Sequence, residues 1–302
     1  MRIGIDLGGT KIEAIALADS GTNAGAILLR HRVPTPSGDY TAILDSIANL
    51  VEFAEREIGE RGTVGVATPG AISPATGLLK NSNSTVLNGK PLDRDLEHRL
   101  QRPIRMENDA NCLALSEAVD GAAAGAPVVF AVILGTGVGG GISIHRTVHV
   151  GRNRIAGEWG HNPLPWMHED ELPGRLCYCG KHGCIETFLS GAGLTHEYQK
   201  QGGDLKTAIE IGNAATLGHG IALTSLAIYQ DRLARALASV INVLDPDVIV
   251  LAGGLSNLTA LYSGLQELVK SYAFSADVGT PVVRAKHGDS SGVRGAAWLW
   301  PL

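Results

Sequence analysis

Short apolar runs and helix-like periodicity alternate along this chain. Alternating or β-branched apolar runs predict strands over residues 1–7, 64–67, 104–107, 128–134 and 248–251. Apolar residues at helical spacing predict helices over residues 40–58, 110–119 and 223–244, with a last helix starting near Asp289. Strands that alternate with helices in this way predict an α/β protein.

The two halves of the chain begin alike, each with an apolar strand, a glycine turn and a second strand. Residues 1–7 lead into the first glycine turn, Gly8-Gly9-Thr10, and resume over 11–17, which predicts a hairpin. Residues 128–134 lead into the second glycine turn, residues 135–141, and return through 142–145. We therefore expect two α/β domains with a cleft between them. The predicted boundaries are 1–119 plus 289–302 for a smaller N-terminal domain and 120–288 for a larger one.

The composition narrows the class of protein. Of the 302 residues, 44% are hydrophobic and 18% are charged, as in an ordinary globular protein. The longest apolar run, residues 128–134, is too short to span a membrane, and the N-terminal residues lack a signal-peptide pattern, so we expect a cytoplasmic protein. A net charge of −5 argues against nucleic acid as a partner, because a nucleic-acid groove needs a basic face.

Glycine is abundant, with 39 residues, and it clusters at the turns after strands. Backbone N–H groups in such turns bind phosphate oxygens, and a side chain there would block the approach. Either turn alone could be a plain hairpin turn, but two turns together with Gly253-Gly254 favour a nucleotide site. No P-loop motif is present. The predicted nucleotide-binding residues are Gly4, Ile5, Asp6, Leu7, Gly8, Gly9, Thr10, Lys11, Ile133, Leu134, Gly135, Thr136, Gly137, Val138, Gly139, Gly140, Gly253 and Gly254.

Three of the four cysteines, Cys177, Cys179 and Cys184, lie within eight residues of one another. In a reducing compartment such spacing is typical of a metal site rather than of disulfides. Three thiolates and one imidazole suit a closed, structural tetrahedral Zn²⁺ site. His161 and His182 are both candidates for the fourth ligand.

Residues 6–11, the second glycine turn and the cysteine cluster together resemble the ROK sugar kinases, in order and over essentially the whole chain. The resemblance implies the two-domain hexokinase–actin-like (ribonuclease H-like) ATPase fold, ATP with Mg²⁺, a hexose substrate and a homodimer. Within the family the bacterial fructokinases are most similar, especially over 108–125, 157–166 and 286–300. This predicts phosphorylation of fructose at the 6-hydroxyl, with mannose and glucose as further acceptors; glucokinase and N-acetylhexosamine kinase are the alternatives.

The segment Asn108-Asp109-Ala110-Asn111 lies between a predicted strand and a predicted helix. An ionised aspartate can accept the proton of a sugar hydroxyl during phosphoryl transfer. The residues alone favour Asp109 as a helix cap, whereas the resemblance implies that it is the catalytic base. The resemblance also implies that Asp6 holds Mg²⁺ through water.

For the sugar, the resemblance implies Glu158 and His161 of a Gly-Glu-x-Gly-His motif, together with Glu186. Further contacts are expected from Gly70, Asn83 and Asn108, beside Asp109. The same resemblance favours His161 over His182 as the zinc ligand, so that one ring nitrogen of His161 would serve the metal and the other the sugar. Glu158 or Glu186 could otherwise be ordinary surface carboxylates. Many family members have a tryptophan shortly after the equivalent of Asn83, but here Ser84-Thr85-Val86-Leu87 follows.

Two functions of other classes compete with a kinase. ROK proteins include sugar-responsive repressors that carry a helix-turn-helix domain ahead of the sugar-binding part, but here the first glycine turn begins too early for one. A zinc-ribbon nucleic-acid module fits poorly with an acidic α/β chain. The sequence therefore predicts an ATP-dependent sugar kinase.

Overall fold

The computed structural model describes residues 1–301, apart from the side chain of Asp289. The strands are β1 (Arg2–Leu7), β2 (Lys11–Leu17), β3 (Ile27–Pro34), β4 (Thr63–Thr68), β5 (Ala71–Ile72), β6 (Leu79–Lys80), β7 (Arg105–Asn108), β8 (Val128–Leu134), β9 (Val138–Ile144), β10 (Thr147–Val148), β11 (Val248–Ala252) and β12 (Val282–Arg284). The helices are α1 (Tyr40–Ile58), α2 (Leu92–Leu100), α3 (Asp109–Val119), α4 (Ile185–Leu189), α5 (Gly191–Lys200), α6 (Ala208–Thr216), α7 (Gly220–Leu244), α8 (Leu265–Tyr272) and α9 (Ser291–Ala297).

The chain divides into two compact α/β units. The first unit consists of residues 1–127, 141–156 and the described residues from 289 onward, and the second of residues 128–140 and 157–288. Residues 120–127 and 141–156 thus group with the first unit, whereas the boundaries predicted from the sequence placed them in the second domain. One physical reason is a close approach: a Cβ on Gly141 would lie 2.1 Å from the Ala110 carbonyl oxygen in α3.

The sheet of the first unit has the strand order β3-β2-β1-β4-β7. β1 and β2 form the predicted antiparallel hairpin, while β4 runs parallel to both β1 and β7. Helix α1 has the predicted bounds and buries Ile43, Ile47 and Val51 in the core of this unit. The Asp39 side chain caps its first turn, and Gly59 ends it in the left-handed conformation.

The C-terminal helix α9 packs directly on the first sheet and on α3. A Cβ on Gly4 would lie 2.0 Å from the Val293 carbonyl oxygen, and one on Gly65 would lie 1.8 Å from that of Ala296. A Cβ on Gly295 would lie 1.7 Å from the Cys112 carbonyl oxygen in α3. These glycines are therefore required because the backbones approach too closely for any side chain.

In the second unit, β11 runs parallel to both β8 and β12. β8 and β11 are apolar along their length, as expected for parallel strands that are covered on both faces. Helix α7 begins three residues before its predicted start and is buried on all sides over residues 232–238, which include Arg232 and Arg235. Across residues 1–301, no single helix meets the length and hydropathy needed to cross a membrane; α6 and α7 meet them only together, as a pair bent by 111°.

Candidate functional site

The first glycine turn is the hairpin turn between β1 and β2, as predicted. The Gly8 amide donates to the Lys11 carbonyl (3.0 Å), and the Thr35 hydroxyl donates to the Gly8 carbonyl (2.7 Å). Gly9 and Thr10 are exposed. Of the other residues predicted to bind nucleotide, Ile5 and Leu7 place their side chains in the core, and Gly4 lies against α9. The accessible part of this turn is therefore Gly8 to Lys11.

Asp6 lies at the end of β1, where its carboxyl group has an unusual pKa. Burial, together with the nearby Asp109 and Glu13 carboxylates, raises the pKa of Asp6 from 3.8 to about 7. The register explains the proximity of Asp109: Asp6 pairs with Ala67 of β4, and Ala67 pairs with Glu107 of β7. Two carboxylates at the same edge of a sheet are a suitable setting for a divalent cation.

Asp109 opens helix α3 directly after β7. The cap of this helix is Asn108, whose side-chain oxygen accepts from the Ala110 amide (2.9 Å), so the capping role considered for Asp109 belongs to its neighbour. The Asp109 carboxylate also accepts from the Ala110 amide, at 2.8 Å. The Asn108 side-chain amide donates to the Gly70 carbonyl (3.3 Å), which brings Gly70, Asn108 and Asp109 together.

Asn83 is exposed and lies in a loop that is fixed by hydrogen bonds between Ser82 and Asn88. The side-chain oxygen of Asn88 accepts from the Ser82 amide (2.9 Å), and its amide group donates to the Ser82 carbonyl (2.8 Å). A Cβ on Gly9 would lie 3.6 Å from the Ser84 hydroxyl, so this loop contacts the first glycine turn. The residues that replace the expected tryptophan therefore lie beside that turn.

The second glycine turn is held by side chains from other parts of the second unit. The Gly135 amide donates to the Gly137 carbonyl (3.0 Å), which closes the turn. The Glu186 carboxylate accepts from the Val138 amide (2.9 Å), and the Trp159 indole N–H donates to the Gly139 carbonyl (3.0 Å). Glu186, predicted as a sugar ligand, thus contacts the turn predicted to bind phosphate.

A pocket of about 810 Å³ opens beside the second glycine turn, within the second unit. Gly135, Thr136 and Gly254, all predicted nucleotide-binding residues, line it. Its other lining residues are Arg175, Gly191, Ala192, Thr195, His196, Gln199, Lys206, Thr207, Ala208, Ile209 and Leu255. This lining contains two cationic side chains, Arg175 and Lys206, and no acidic residue. It also contains His196, whose pKa is lowered by burial and by the nearby Arg175, so that the neutral imidazole is favoured. Helices α5 and α6 both begin at this pocket, and their N-terminal N–H groups favour an anion.

The glycines around this pocket differ in what requires them. A Cβ on Gly253 would lie 2.4 Å from the Leu134 carbonyl oxygen, and one on Gly137 would lie 2.7 Å from the Glu186 carboxylate. At Gly135 the nearest atom would be 4.0 Å away, and at Gly254 there would be none within 4 Å. Since packing does not require glycine at Gly135 or Gly254, a ligand that approaches their backbone would explain it.

His161, Cys177, Cys179 and Cys184 form a cluster in which all four ligand atoms lie within 4.8 Å of one another. The Cys179 and Cys184 sulfurs are 3.6 Å apart, and the Cys177 sulfur is 3.5 Å from His161 Nδ1. Tetrahedral Zn²⁺, with Zn–S of about 2.3 Å and Zn–N of about 2.05 Å, requires about 3.8 Å and about 3.6 Å between such atoms. The residues therefore fit a zinc ion. His182 instead contacts the Gly174 carbonyl (3.1 Å) and lies outside the cluster.

His161 was also predicted to bind sugar through its other ring nitrogen, but another side chain already contacts that nitrogen. His161 Nε2 lies 2.9 Å from the Tyr178 hydroxyl. Glu158, the glutamate of the Gly-Glu-x-Gly-His motif, is exposed at the start of the short 3-10 turn that contains His161. Within the second unit, the predicted sugar residues Glu158 and Glu186 thus lie beside the Cys₃His cluster, to which His161 itself belongs.

A buried ion network supports the loop that leads into this cluster. Glu171 accepts from both Arg232 (2.7 Å) and Arg235 (2.7 Å) of helix α7. Burial acts to raise the pKa of Glu171, but the hydrogen bonds from Arg235 and Arg232 outweigh it and lower that pKa to about 2. The charges compensate one another, so this network anchors the loop rather than providing a reactive group.

The sequence did not predict the helical wall of the pocket. Ala192, Thr195, His196 and Gln199 lie on one face of α5, whose opposite face is buried through Leu194 and Tyr198. Their spacing of three and four residues is the available signal, but it is also typical of any solvated helix face. Arg175 and Lys206 come from loops and carry no recognisable motif.

Comparisons with known proteins find relatives that are similar in sequence and in fold over almost the whole chain. The model of the ROK family matches residues 2–302. An N-acetyl-D-glucosamine kinase of Vibrio atlanticus (strain LGP32) is 41% identical over 303 residues, which cover 99% of each chain. The crystal structure of a ROK hexokinase from Thermus thermophilus is 31% identical, with a TM-score of 0.86, and covers 99% of this chain and 97% of that one. A ROK glucokinase from Streptomyces griseus, solved with glucose and AMPPNP, is 28% identical with a TM-score of 0.76 and covers 98% and 97%.

Proposed function

The chain belongs to the ROK family and has the two-domain hexokinase–actin-like fold of its relatives, and we propose that this sugar kinase transfers the γ-phosphoryl group of ATP to the 6-hydroxyl of a hexose. The observation that carries the proposal is the pocket lined by Gly135, Thr136 and Gly254 with Arg175, His196 and Lys206. Backbone amides, helix N-termini, two cationic side chains and a histidine around one pocket are suited to a nucleotide polyphosphate.

The first unit supplies the acceptor side of the proposed reaction. Asp109 is the proposed base, because it follows β7 at the start of α3 and its neighbour Asn108 provides the helix cap. In this role the Asp109 carboxylate orients the sugar hydroxyl and accepts its proton as the phosphoryl group is transferred. Asn108 and Gly70, which contact each other, are proposed to hold the sugar beside it.

Asp6 is the residue proposed to hold Mg²⁺, through water. Mg²⁺ bound with ATP neutralises phosphate charge in such reactions. The fit rests on the Asp6 carboxyl group, whose pKa is raised to about 7 by burial and by Asp109. A cation nearby would favour the ionised carboxylate and so relieve the cost of its burial.

The Cys₃His cluster is proposed to bind a structural Zn²⁺. Its four ligand atoms leave no open coordination position for catalysis, so the ion would fix the segment from His161 to Cys184. Elemental analysis of the purified protein should find about one zinc per chain, and Cys179→Ser should lose it. Purified protein that binds no transition metal would contradict this assignment.

Two acceptor sugars have specific support. Full-length relatives at 41% identity are N-acetyl-D-glucosamine kinases, which favours N-acetyl-D-glucosamine over the fructose predicted from the sequence. Fructose is kept as the second candidate because residues 108–125, 157–166 and 286–300 resemble bacterial fructokinases. The loop after Asn83, which lies beside the first glycine turn, is proposed to distinguish these sugars.

A coupled assay of ADP release tests the activity and the acceptor together. N-acetyl-D-glucosamine, fructose, mannose and glucose are supplied one at a time with MgATP, and the product is assigned by NMR. We expect sugar-dependent ADP release and a 6-phosphate. Absence of turnover with every hexose would overturn the kinase proposal. The homodimer implied by the resemblance stays a prediction that light scattering tests.

A further inference from the structure

We propose that Glu186 and Trp159 are positioning residues that hold the second glycine turn in the shape that receives the nucleotide. The inference rests on the proposed nucleotide site, but it assigns these side chains a role other than contact with sugar. Glu186 lies two residues after Cys184, and Trp159 lies two residues before His161. Cys184 and His161 both belong to the Cys₃His cluster. The chain segments next to Cys184 and His161 therefore both contact the second glycine turn.

Glu186 fixes the turn at its Val138 amide. Its Oε2 atom accepts from that amide at 2.9 Å, and a Cβ on Gly137 would lie 2.7 Å from the same oxygen. The carboxylate therefore occupies the space that a side chain at position 137 would need. A hydrogen bond to a charged acceptor is about twice as strong as a neutral one, so this contact is well suited to hold a glycine-rich turn.

Trp159 fixes the same turn from the neighbouring segment. Its indole N–H donates to the Gly139 carbonyl at 3.0 Å, and its ring packs edge-on against Phe130 of β8 at 5.6 Å between centroids. Glycines allow the segment to lie directly on the turn, because a Cβ on Gly160 would be 2.1 Å from the Val138 carbonyl oxygen. The Val138 amide and the Gly139 carbonyl are thus both engaged.

The contacts of Glu186 and Trp159 act at the edge of the proposed nucleotide pocket. Gly135 and Thr136 line that pocket, and the Gly135 amide depends on the Gly137 carbonyl to close the turn. Five glycines among residues 135–141 would otherwise make this segment costly to order. Side chains that order the turn before the nucleotide arrives reduce the entropy lost on binding.

The test uses the full-length protein and three variants. Glu186→Ala removes the acceptor, Glu186→Gln keeps a neutral acceptor of the same shape, and Trp159→Phe removes the N–H while retaining a ring against Phe130. Dissociation constants for MgATP are measured by calorimetry without sugar, and amide hydrogen exchange of residues 135–140 is measured without nucleotide. Zinc content and melting temperature are checked for each variant.

We expect Glu186→Ala to weaken MgATP binding about tenfold and to speed exchange in residues 135–140. Glu186→Gln should recover much of that loss, and Trp159→Phe should weaken binding about threefold to tenfold. Unchanged MgATP affinity and unchanged exchange in both Glu186→Ala and Trp159→Phe would overturn the inference, and a loss confined to sugar affinity would do the same. Failure of the wild-type protein to bind MgATP would instead overturn the proposed function, on which the inference rests.

Discussion

The two glycine turns follow similar strands, but they are stabilised in different ways. The first turn closes on its own backbone, through the Gly8 amide and the Lys11 carbonyl, and is supported by the Thr35 hydroxyl. The second turn is held by two side chains from elsewhere in its unit, Glu186 and Trp159. A similar sequence pattern can therefore arise from different structural needs.

The difference extends to the charged residue at each turn. Beside the first turn, Asp6 is half-buried, has a raised pKa and has other carboxylates nearby. Beside the second, the Glu186 carboxylate accepts a backbone hydrogen bond. In the proposed reaction the first turn would serve a cation with its phosphate, and the second turn would serve the phosphate chain, beside Arg175 and Lys206. Four predictions test this contrast.

The largest effect is expected from Asp109→Asn, on the side of the first turn. Because the amide cannot accept the sugar proton, kcat should fall about a thousandfold. The affinity for MgATP should stay close to that of the wild type, since the nucleotide pocket is built in the second unit. Steady-state kinetics and calorimetry measure the two quantities, and wild-type kcat in this variant would show that Asp109 is not the base.

The second prediction concerns pH and Asp6. In the unfolded chain Asp6 ionises near pH 4, whereas in the folded protein it keeps its proton up to about pH 7. The folded state therefore binds more protons between these values, so the free energy of unfolding falls as pH rises through this window, by up to about 4 kcal/mol. Asp6→Asn, which stays neutral, should not show this loss.

Urea denaturation of the wild type and Asp6→Asn at several pH values between 5 and 8 measures the predicted difference. The stability of the variant relative to the wild type should increase with pH. Mg²⁺ should reduce the difference at pH 7.5, because a cation favours the ionised carboxylate. Parallel pH profiles for the two proteins would contradict the raised pKa.

The third prediction compares one glycine from each turn. Gly137→Ala places a Cβ 2.7 Å from the Glu186 carboxylate, so Glu186 must move away and lose its bond to the Val138 amide. We expect about tenfold weaker MgATP binding and faster amide exchange in residues 135–140. Gly9→Ala is the matched control, because its Cβ would lie 3.6 Å from the nearest atom and leave the free protein unchanged. Equal exchange rates in the two variants would argue against the contrast between the turns.

The smallest effect is expected at Gly254, where a Cβ would have no neighbour within 4 Å. Gly254→Ala should leave the free energy of unfolding within about 0.5 kcal/mol of the wild type. The added methyl group should nevertheless weaken MgATP binding severalfold, because it occupies space proposed for the ligand. Thermal denaturation and calorimetry separate these effects, and unchanged affinity would remove Gly254 from the proposed site.

Regular periodicity made much of the fold predictable. Helix α1 has the bounds that its apolar spacing predicts, and the hairpin of β1 and β2 follows from alternation around the first turn. The sequence did not predict β3, which is mostly exposed and carries Arg30, His31 and Arg32, because its alternation is weak. Helix α2 was also missed, since only Leu92, Leu96 and Leu100 are buried in a short, charged segment.

The site was predictable where chemistry is local in sequence. The metal cluster follows from three cysteines within eight residues, and the structure groups His161, which the resemblance favoured over His182, with them. Glu186 was singled out for the sugar, but its contact with the Val138 amide depends on a residue 48 positions away. The pocket wall from α5 likewise depends on how that helix packs.

By itself the sequence determined the α/β class, the ROK family, the positions of the glycine turns and the three cysteines of the metal cluster, because periodicity and short spacings are local properties of a chain. Only the tertiary structure distinguishes the glycines from one another. A side chain at Gly4 would collide with α9 and one at Gly137 with Glu186, whereas a side chain at Gly254 would enter open space. A glycine has no side chain to indicate its role, so its reason lies in the atoms or the space around it.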